Sequence, residues 1–136
     1  MTELLVNIDV DDIGRARNFY TEAFGLRIGR QLGTDFLELL GAPVPIYLLQ
    51  QAAGKPPFVG AQRGRDYDRH WCPLHLDFVV PDLEAAVARA LAAGAKLERP
   101  VAEEPYGLLA VLSDPFGHGF CFLEFRGAGY DSIATK

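Results

Sequence analysis

The 136-residue chain carries two cysteines, one methionine and one tryptophan, and its 13 lysines and arginines are outnumbered by 18 aspartates and glutamates. Cys72 and Cys121 are too few for a disulfide framework or a thiolate zinc cage and read as buried reduced thiols. A net charge of −5 leaves no basic stripe of the kind that nucleic acid or an anionic membrane attracts. No apolar run is long enough to cross a bilayer, and the opening MTELLVNIDV lacks the charged-then-apolar layout of a signal segment. The expectation is a cytoplasmic protein with neither a nucleic-acid nor a membrane partner. Phosphate-binding loops, serine nucleophile elbows and two-histidine zinc helices are also missing, which removes those enzyme classes. What remains is a composition that folds, with 49% hydrophobic, 11% aromatic and 23% charged residues. At this length about two-thirds of the unfolded surface can be buried, enough for one real core and too little for two large domains.

The chain repeats itself. Leu4–Ile13 (LLVNIDVDDI) aligns with Leu74–Leu83 (LHLDFVVPDL) at an offset of 70. In the first copy Leu4, Val6, Ile8 and Val10 share one face and Leu5, Asn7 and Asp9 the other, the two-residue period of a strand. In the second, Leu74, Leu76, Phe78 and Val80 oppose His75, Asp77 and Val79. Asp12 and Asp82 follow where an N-cap belongs, because a carboxylate there accepts from the free amides of a first helical turn. Two amphipathic helices are predicted, one striped by Ile13, Ala16, Tyr20, Ala23 and Phe24, the other by Leu83, Ala86, Val87, Ala90 and Leu91. Gly25 and Gly94 are placed to end them.

Period two then returns, with strands predicted near 26–32, 35–40 and 44–50 and again near 95–101, 108–113 and 119–125; Asp114-Pro115-Phe116-Gly117 reads as the turn between the last two. Each half is strand, helix and three strands, and a single helix covers only one face of its sheet. The organisation expected is one domain over 1–136, made of a module 1–50 and a module 73–126 joined by a loop 51–72. That loop is rich in glycine, proline and charge, has no period, and holds Phe58, Tyr67, His70 and Trp71. A connection of this length often takes part in binding. Beyond Phe125 the short polar tail is expected to be partly ordered at best.

The paired strand-aspartate-helix motifs, Asn18-Phe19-Tyr20 with Phe24-Gly25-Leu26, Ala92-Ala93-Gly94-Ala95 and Asp114-Pro115-Phe116-Gly117-His118 form an ordered set over residues 4–125 that resembles the vicinal oxygen chelate superfamily of glyoxalase I, bleomycin-resistance proteins and extradiol dioxygenases. The resemblance implies an α+β fold in which two βαβββ modules form an eight-stranded curved sheet around a central cavity. It implies, in members that are enzymes, a divalent metal held by one residue from the first and one from the last strand of each module. Counting from Asp12, Asp82 and Asp114, those positions fall on Leu5, Tyr47, His75 and Cys121. Leucine has no lone pair and neutral tyrosine suits a hard cation poorly, so one histidine and one cysteine leave the ion short of ligands. Glu124 alternates to the face opposite Cys121 and does not complete the set.

The expectation is therefore no metal and no cofactor, with a small apolar or aromatic molecule held in the cavity in the manner of resistance proteins that sequester drugs. The residues expected to bind it are His75, Asp77, Asn7, Asp9, Tyr47, Cys121, Trp71, Phe58 and Tyr106. Loop and inner-strand aromatics suit a flat ligand, and an imidazole can donate or accept near neutral pH. Each has a plainer reading: a hydrogen-bonded sheet histidine, carboxylates paired with arginine, core aromatics and an inert thiol. The alternative function is a metal-dependent lyase, isomerase or dioxygenase with one divalent ion on His75 and unorthodox partners such as Asp9 or Asp77. Similar proteins pair, so a homodimer is expected, and no catalytic residue is assigned.

Overall fold

The computed structural model describes all 136 residues. Contacts divide them into two compact units, Met1–Asp68 and Arg69–Lys136. The first contains β1 (Val6–Val10), α1 (Ile13–Phe24), β2 (Arg27–Gln31), β3 (Phe36–Leu40) and β4 (Ile46–Gln50). The second contains β5 (Leu76–Val79), α2 (Leu83–Ala93), β6 (Lys96–Leu97), β7 (Ala102–Glu104), β8 (Gly107–Ser113) and β9 (Gly119–Phe125). The fold is α+β, as expected, with one helix on each of two open sheets; no strand pairing joins these into a closed barrel. No helix is long and apolar enough to cross a membrane.

In the first unit the strand order is β1-β4-β3-β2, with β1 and β4 parallel and the rest antiparallel. Asp12 accepts from Arg15 N at 3.0 Å, which caps α1, and Gly25 closes it in the left-handed region at φ 66°. Ala16, Phe19, Tyr20 and Ala23 are the buried helix face, packed over β2, β3 and β4 with Val10, Leu39 and Leu48 fully enclosed.

The second unit repeats this with β5-β9-β8-β6, β5 and β9 being parallel. Asp82 accepts from Ala85 N at 3.1 Å, Gly94 terminates α2 at φ 117°, and Leu83, Ala86, Val87 and Ala90 are buried. Leu91, expected on the apolar stripe, and Cys72, expected to be buried, are both exposed, the thiol because it stands in the irregular segment before β5.

The pairing registers of the two units coincide. Asn7 lies opposite Tyr47 and Asp77 opposite Cys121, so the offset is 70 on the leading strand and 74 on the last one. The same offsets relate two further bonds: Gln50 Oε1 accepts from Ile13 N at 2.8 Å and Glu124 Oε1 from Leu83 N at 3.0 Å.

Three details differ from the sequence expectation. There are nine strands, because the strand expected near 95–101 is confined to β6 and a further short strand, β7, follows it: the ladder to β8 runs through Glu98 N to Val111 O at 2.9 Å, and Pro100 then has no N–H to continue it. The tail is ordered into a 3₁₀ turn, Gly129–Ser132, in which the Tyr130 ring packs on Phe125 with centroids 4.7 Å apart. Residues 51–75 form neither helix nor strand, but the first part is folded back on itself, with Gly54 N donating to Arg65 O at 2.7 Å and Arg65 N to Lys55 O at 2.9 Å.

Candidate functional site

In the second unit a groove of about 200 Å³ opens beside β9, walled by Arg69, Trp71, Leu74, His75, Val111 and Cys121. Its floor follows from strand alternation. Val111 pairs with Cys121 across β8 and β9, and Cys121 with Asp77 across β9 and β5, so these side chains share one face while Phe120 and Phe122 are buried on the other.

Its wall is the segment entering β5. Arg69 grips Glu98 through two bonds, Nε to Oε2 at 2.6 Å and Nη2 to Oε1 at 2.9 Å, which holds the Glu98 carboxyl below its ordinary range and raises Arg69 above its own. The absence of a side chain at Gly119 makes this possible, since a Cβ there would come within 2.6 Å of Arg69 Nη2. Next to it His70 Nε2 meets His118 Nδ1 at 2.9 Å, and Asp114 Oδ1 accepts from Phe116 N and His118 N at 2.8 and 2.9 Å. The wall is thereby tied to the β8–β9 turn. Trp71 stands out from it, 83% exposed.

His75, Asp77 and Cys121 bring their donor atoms within 4.8 Å of one another. His75 Nε2 is 3.1 Å from Asp77 Oδ1. Burial first, then the charge and hydrogen bond of Asp77, push the Cys121 thiol up to about 11, so it is neutral and unreactive at physiological pH. Tyr106, packed against Tyr130 with centroids 5.1 Å apart, has its phenol raised by burial and, secondarily, by Glu104, Tyr130, Asp77 and Cys121.

The remaining candidates lie in the first unit. Asn7 is exposed on β1. Asp9 is paired with Arg65, Nε to Oδ2 at 2.7 Å, and Arg65 also donates to Pro56 O at 2.9 Å. Tyr47 is buried; its hydroxyl donates to Glu38 Oε2 at 2.8 Å and accepts from Arg30 Nη2 at 3.1 Å. Glu38 receives Arg30 in addition, through Nη2 at 2.6 Å, Nε at 3.1 Å and the backbone N–H at 3.0 Å. These bonds hold the Glu38 carboxyl down at about 2 and raise Arg30. Phe58 is an exposed loop side chain.

A divalent metal on Leu5, Tyr47, His75 and Cys121 does not fit these side chains. Leu5 is an exposed hydrocarbon and the Tyr47 oxygen is committed to Glu38 and Arg30, which leaves only His75 and Cys121 of the four.

Sequence reasoning passed over Arg69, Leu74, Val111 and the Glu38–Arg30 pair. Val111 and Glu38 were findable, because each stands on a strand directly beside the candidate ligand on the next one. Arg69 carries no such signal; its role depends on Gly119 and Glu98, far away in sequence.

Residues 5–123 match the glyoxalase-like domain family. The anthracycline biosynthesis protein DnrV of Streptomyces peucetius is 33% identical over 132 residues, 95% of this chain but 43% of that protein, so the chain spans about two-fifths of the relative's length. Among solved structures, a glyoxalase/bleomycin resistance protein/dioxygenase family enzyme from Burkholderia phytofirmans superposes with a TM-score of 0.69 at 25% identity, covering 90% of this chain and 97% of that one. TnmS3, an antibiotic binding protein from Streptomyces sp. CB03234, shares the fold at a TM-score of 0.66 and 23% identity, over 93% of this chain and 97% of its own.

Proposed function

Since the chain belongs to the glyoxalase-like domain family, we propose that it binds a flat, largely apolar aromatic molecule in the groove of the second unit, without a metal. The observation that carries this reading is the groove itself: Trp71, Leu74 and Val111 supply apolar surface, and a few polar atoms on His75 and Arg69 give direction. The association of one relative with anthracycline biosynthesis and of a structural neighbour with antibiotic binding supports a fused-ring aromatic as the ligand class. Drug-sized molecules usually occupy 300–1,000 Å³, so a groove of about 200 Å³ seats one edge of such a ring system and leaves the rest outside. Apolar burial yields about 25 cal/mol per Å² before the entropy of association is subtracted, which makes the contact with Trp71 the largest single contribution.

Trp71 is the only tryptophan in the chain and lies in the groove wall, so its fluorescence reports occupancy directly. Titration with anthraquinone sulfonate in the presence of a chelator is expected to quench it saturably, one probe per chain. Quenching that is linear and non-saturable, or a tightly held divalent ion found by elemental analysis of the purified protein, would overturn the reading.

A further inference from the structure

Arg69 is held in the groove wall as a fixed plate. A guanidinium carries its five N–H donors in one plane, and four hydrogen bonds already leave the edges of this one. Nε donates to Glu98 Oε2 at 2.6 Å and Nη2 to Glu98 Oε1 at 2.9 Å, while Nη1 donates to the backbone oxygens of His70 and Gly117. The paired bonds to Glu98 fix the plane. Gly119 closes one side of the group, for a Cβ there would stand 2.6 Å from Nη2, 3.1 Å from Cζ and 3.2 Å from Nη1. The side chain nonetheless stays 46% exposed and lines the groove together with Trp71, Leu74 and Val111. With its edges bonded and one side closed, what Arg69 has to offer a ligand is its remaining flat face.

We propose that the groove selects electron-rich fused aromatics, and that Arg69 sets this preference by stacking its guanidinium face on the ring. The inference deepens the ligand-binding reading and rests on it. Glu98 is a positioning residue that keeps the plate flat against the groove and does not itself meet the ligand. A guanidinium is delocalised and weakly hydrated, so covering its face breaks no hydrogen bond and displaces little tightly held water. The face of an aromatic ring is negative, and a cation over it is attracted more strongly the richer that face is in electrons. Ring carbonyls withdraw electron density, so a quinone is held less firmly than an aromatic hydrocarbon of the same outline.

The test compares anthracene sulfonate with anthraquinone sulfonate, both titrated with a chelator present and read by Trp71 fluorescence. Each probe carries one sulfonate, so plain attraction to positive charge cancels in the ratio of their affinities. The wild-type chain is expected to bind the anthracene about tenfold more tightly. Arg69→Lys keeps the charge but has no flat face, and should lower that preference about fivefold, leaving the remainder that follows from the greater apolarity of anthracene. Glu98→Gln retains Arg69 but holds it by one amide oxygen in place of two carboxylate oxygens, and should lower the preference about twofold. Far-UV circular dichroism checks that Arg69→Lys is folded; where it is not, Glu98→Gln decides, and a preference unchanged there overturns the inference. Equal affinity for the two probes, a preference for the quinone, or a preference that survives Arg69→Lys in full also overturns it and leaves the ligand-binding reading standing; saturable quenching by neither probe overturns both.

Discussion

The two modules pair their first and last strands in the same register and differ in the side chain that stands beside the last one. Opposite Tyr47 the first module has Glu38; opposite Cys121, at the corresponding place, the second has Val111. A carboxylate with two oxygens draws in Arg30 and the tyrosine hydroxyl and fills its neighbourhood with a satisfied polar network, for which Gly29 leaves room, since a Cβ there would stand 2.5 Å from Glu38 Oε1. A valine draws in nothing. The second module is left with an open apolar surface and an imidazole beside it, and there the groove forms. One repeat has committed this face to internal bonding and the other leaves it open.

The connections between the last two strands differ as well. In the first module Gly41-Ala42-Pro43-Val44-Pro45 passes from β3 to β4 with no buried aromatic. In the second, Asp114 ties down the turn and Phe116 is fully buried within it. Phe116→Ala is expected to cost about 3–5 kcal/mol, the largest effect of any substitution suggested here, because it empties a site that the tied turn cannot collapse around. Denaturant unfolding measures it, and a loss under 1 kcal/mol would show that the turn is not a core element.

Ligand binding offers a sharper break. Val111→Glu gives the second module the residue that the first one has. A carboxylate in the groove floor faces Asp77 and the Cys121 thiol with no arginine yet bound to it, and the saturable quenching of Trp71 by an aromatic probe should weaken by about tenfold or more. Unchanged affinity would place the ligand elsewhere.

Acid should separate the modules in another way. The Glu38 carboxyl is held at about 2 against an ordinary 4.5, a lowered value, so its stabilising effect is complete above pH 4.5 and is lost as pH falls from there towards 2. Stability of the wild-type chain followed between about pH 6 and about pH 2.5 should therefore decline more steeply than that of Glu38→Gln. Glu98, lowered by Arg69, contributes a slope of the same sign from the second module, so Glu98→Gln is the matched control. If the two variants and the wild-type chain give parallel curves, the network around Tyr47 is not coupled to folding.

Most of the architecture was legible in the sequence because it rests on local signals: period-two runs, aspartate N-caps and glycine stops, all displayed twice. Strand edges were placed within two residues wherever alternation was clean, as at Gly119–Phe125. Pro100, which interrupts the edge of the second sheet, was visible but its effect on pairing depends on which N–H groups β8 needs. The site was less legible. His75 and Asp77 emerged from face assignment and Cys121 from the family resemblance, and the three meet in space, whereas Asp9, from the same alternation, and Tyr47, from the resemblance, are committed to Arg65, Glu38 and Arg30. A sequence shows which face a side chain takes, and partners 17 or 56 positions away decide whether it has anything left to offer.

The smallest effects concern the helix starts, where the modules are most alike. Asp12 and Asp82 each accept one amide of the first turn, and each helix receives a second bond from the last strand of its own sheet, from Gln50 in one case and Glu124 in the other. Asp12→Ala and Asp82→Ala should each cost about 1 kcal/mol in denaturant unfolding. The second bond differs in charge. Glu124 brings a carboxylate to the positive end of α2, and its pKa is lowered by the Leu83 amide and by Arg126, whereas Gln50 brings a neutral amide to α1. With a formal charge still at its N-terminus, α2 should tolerate loss of its capping aspartate better than α1 at low salt, and the gap should close as salt screens the carboxylate. A gap that persists in high salt would mean that the two caps differ in geometry rather than in charge, and the likeness of the modules would end at the strands.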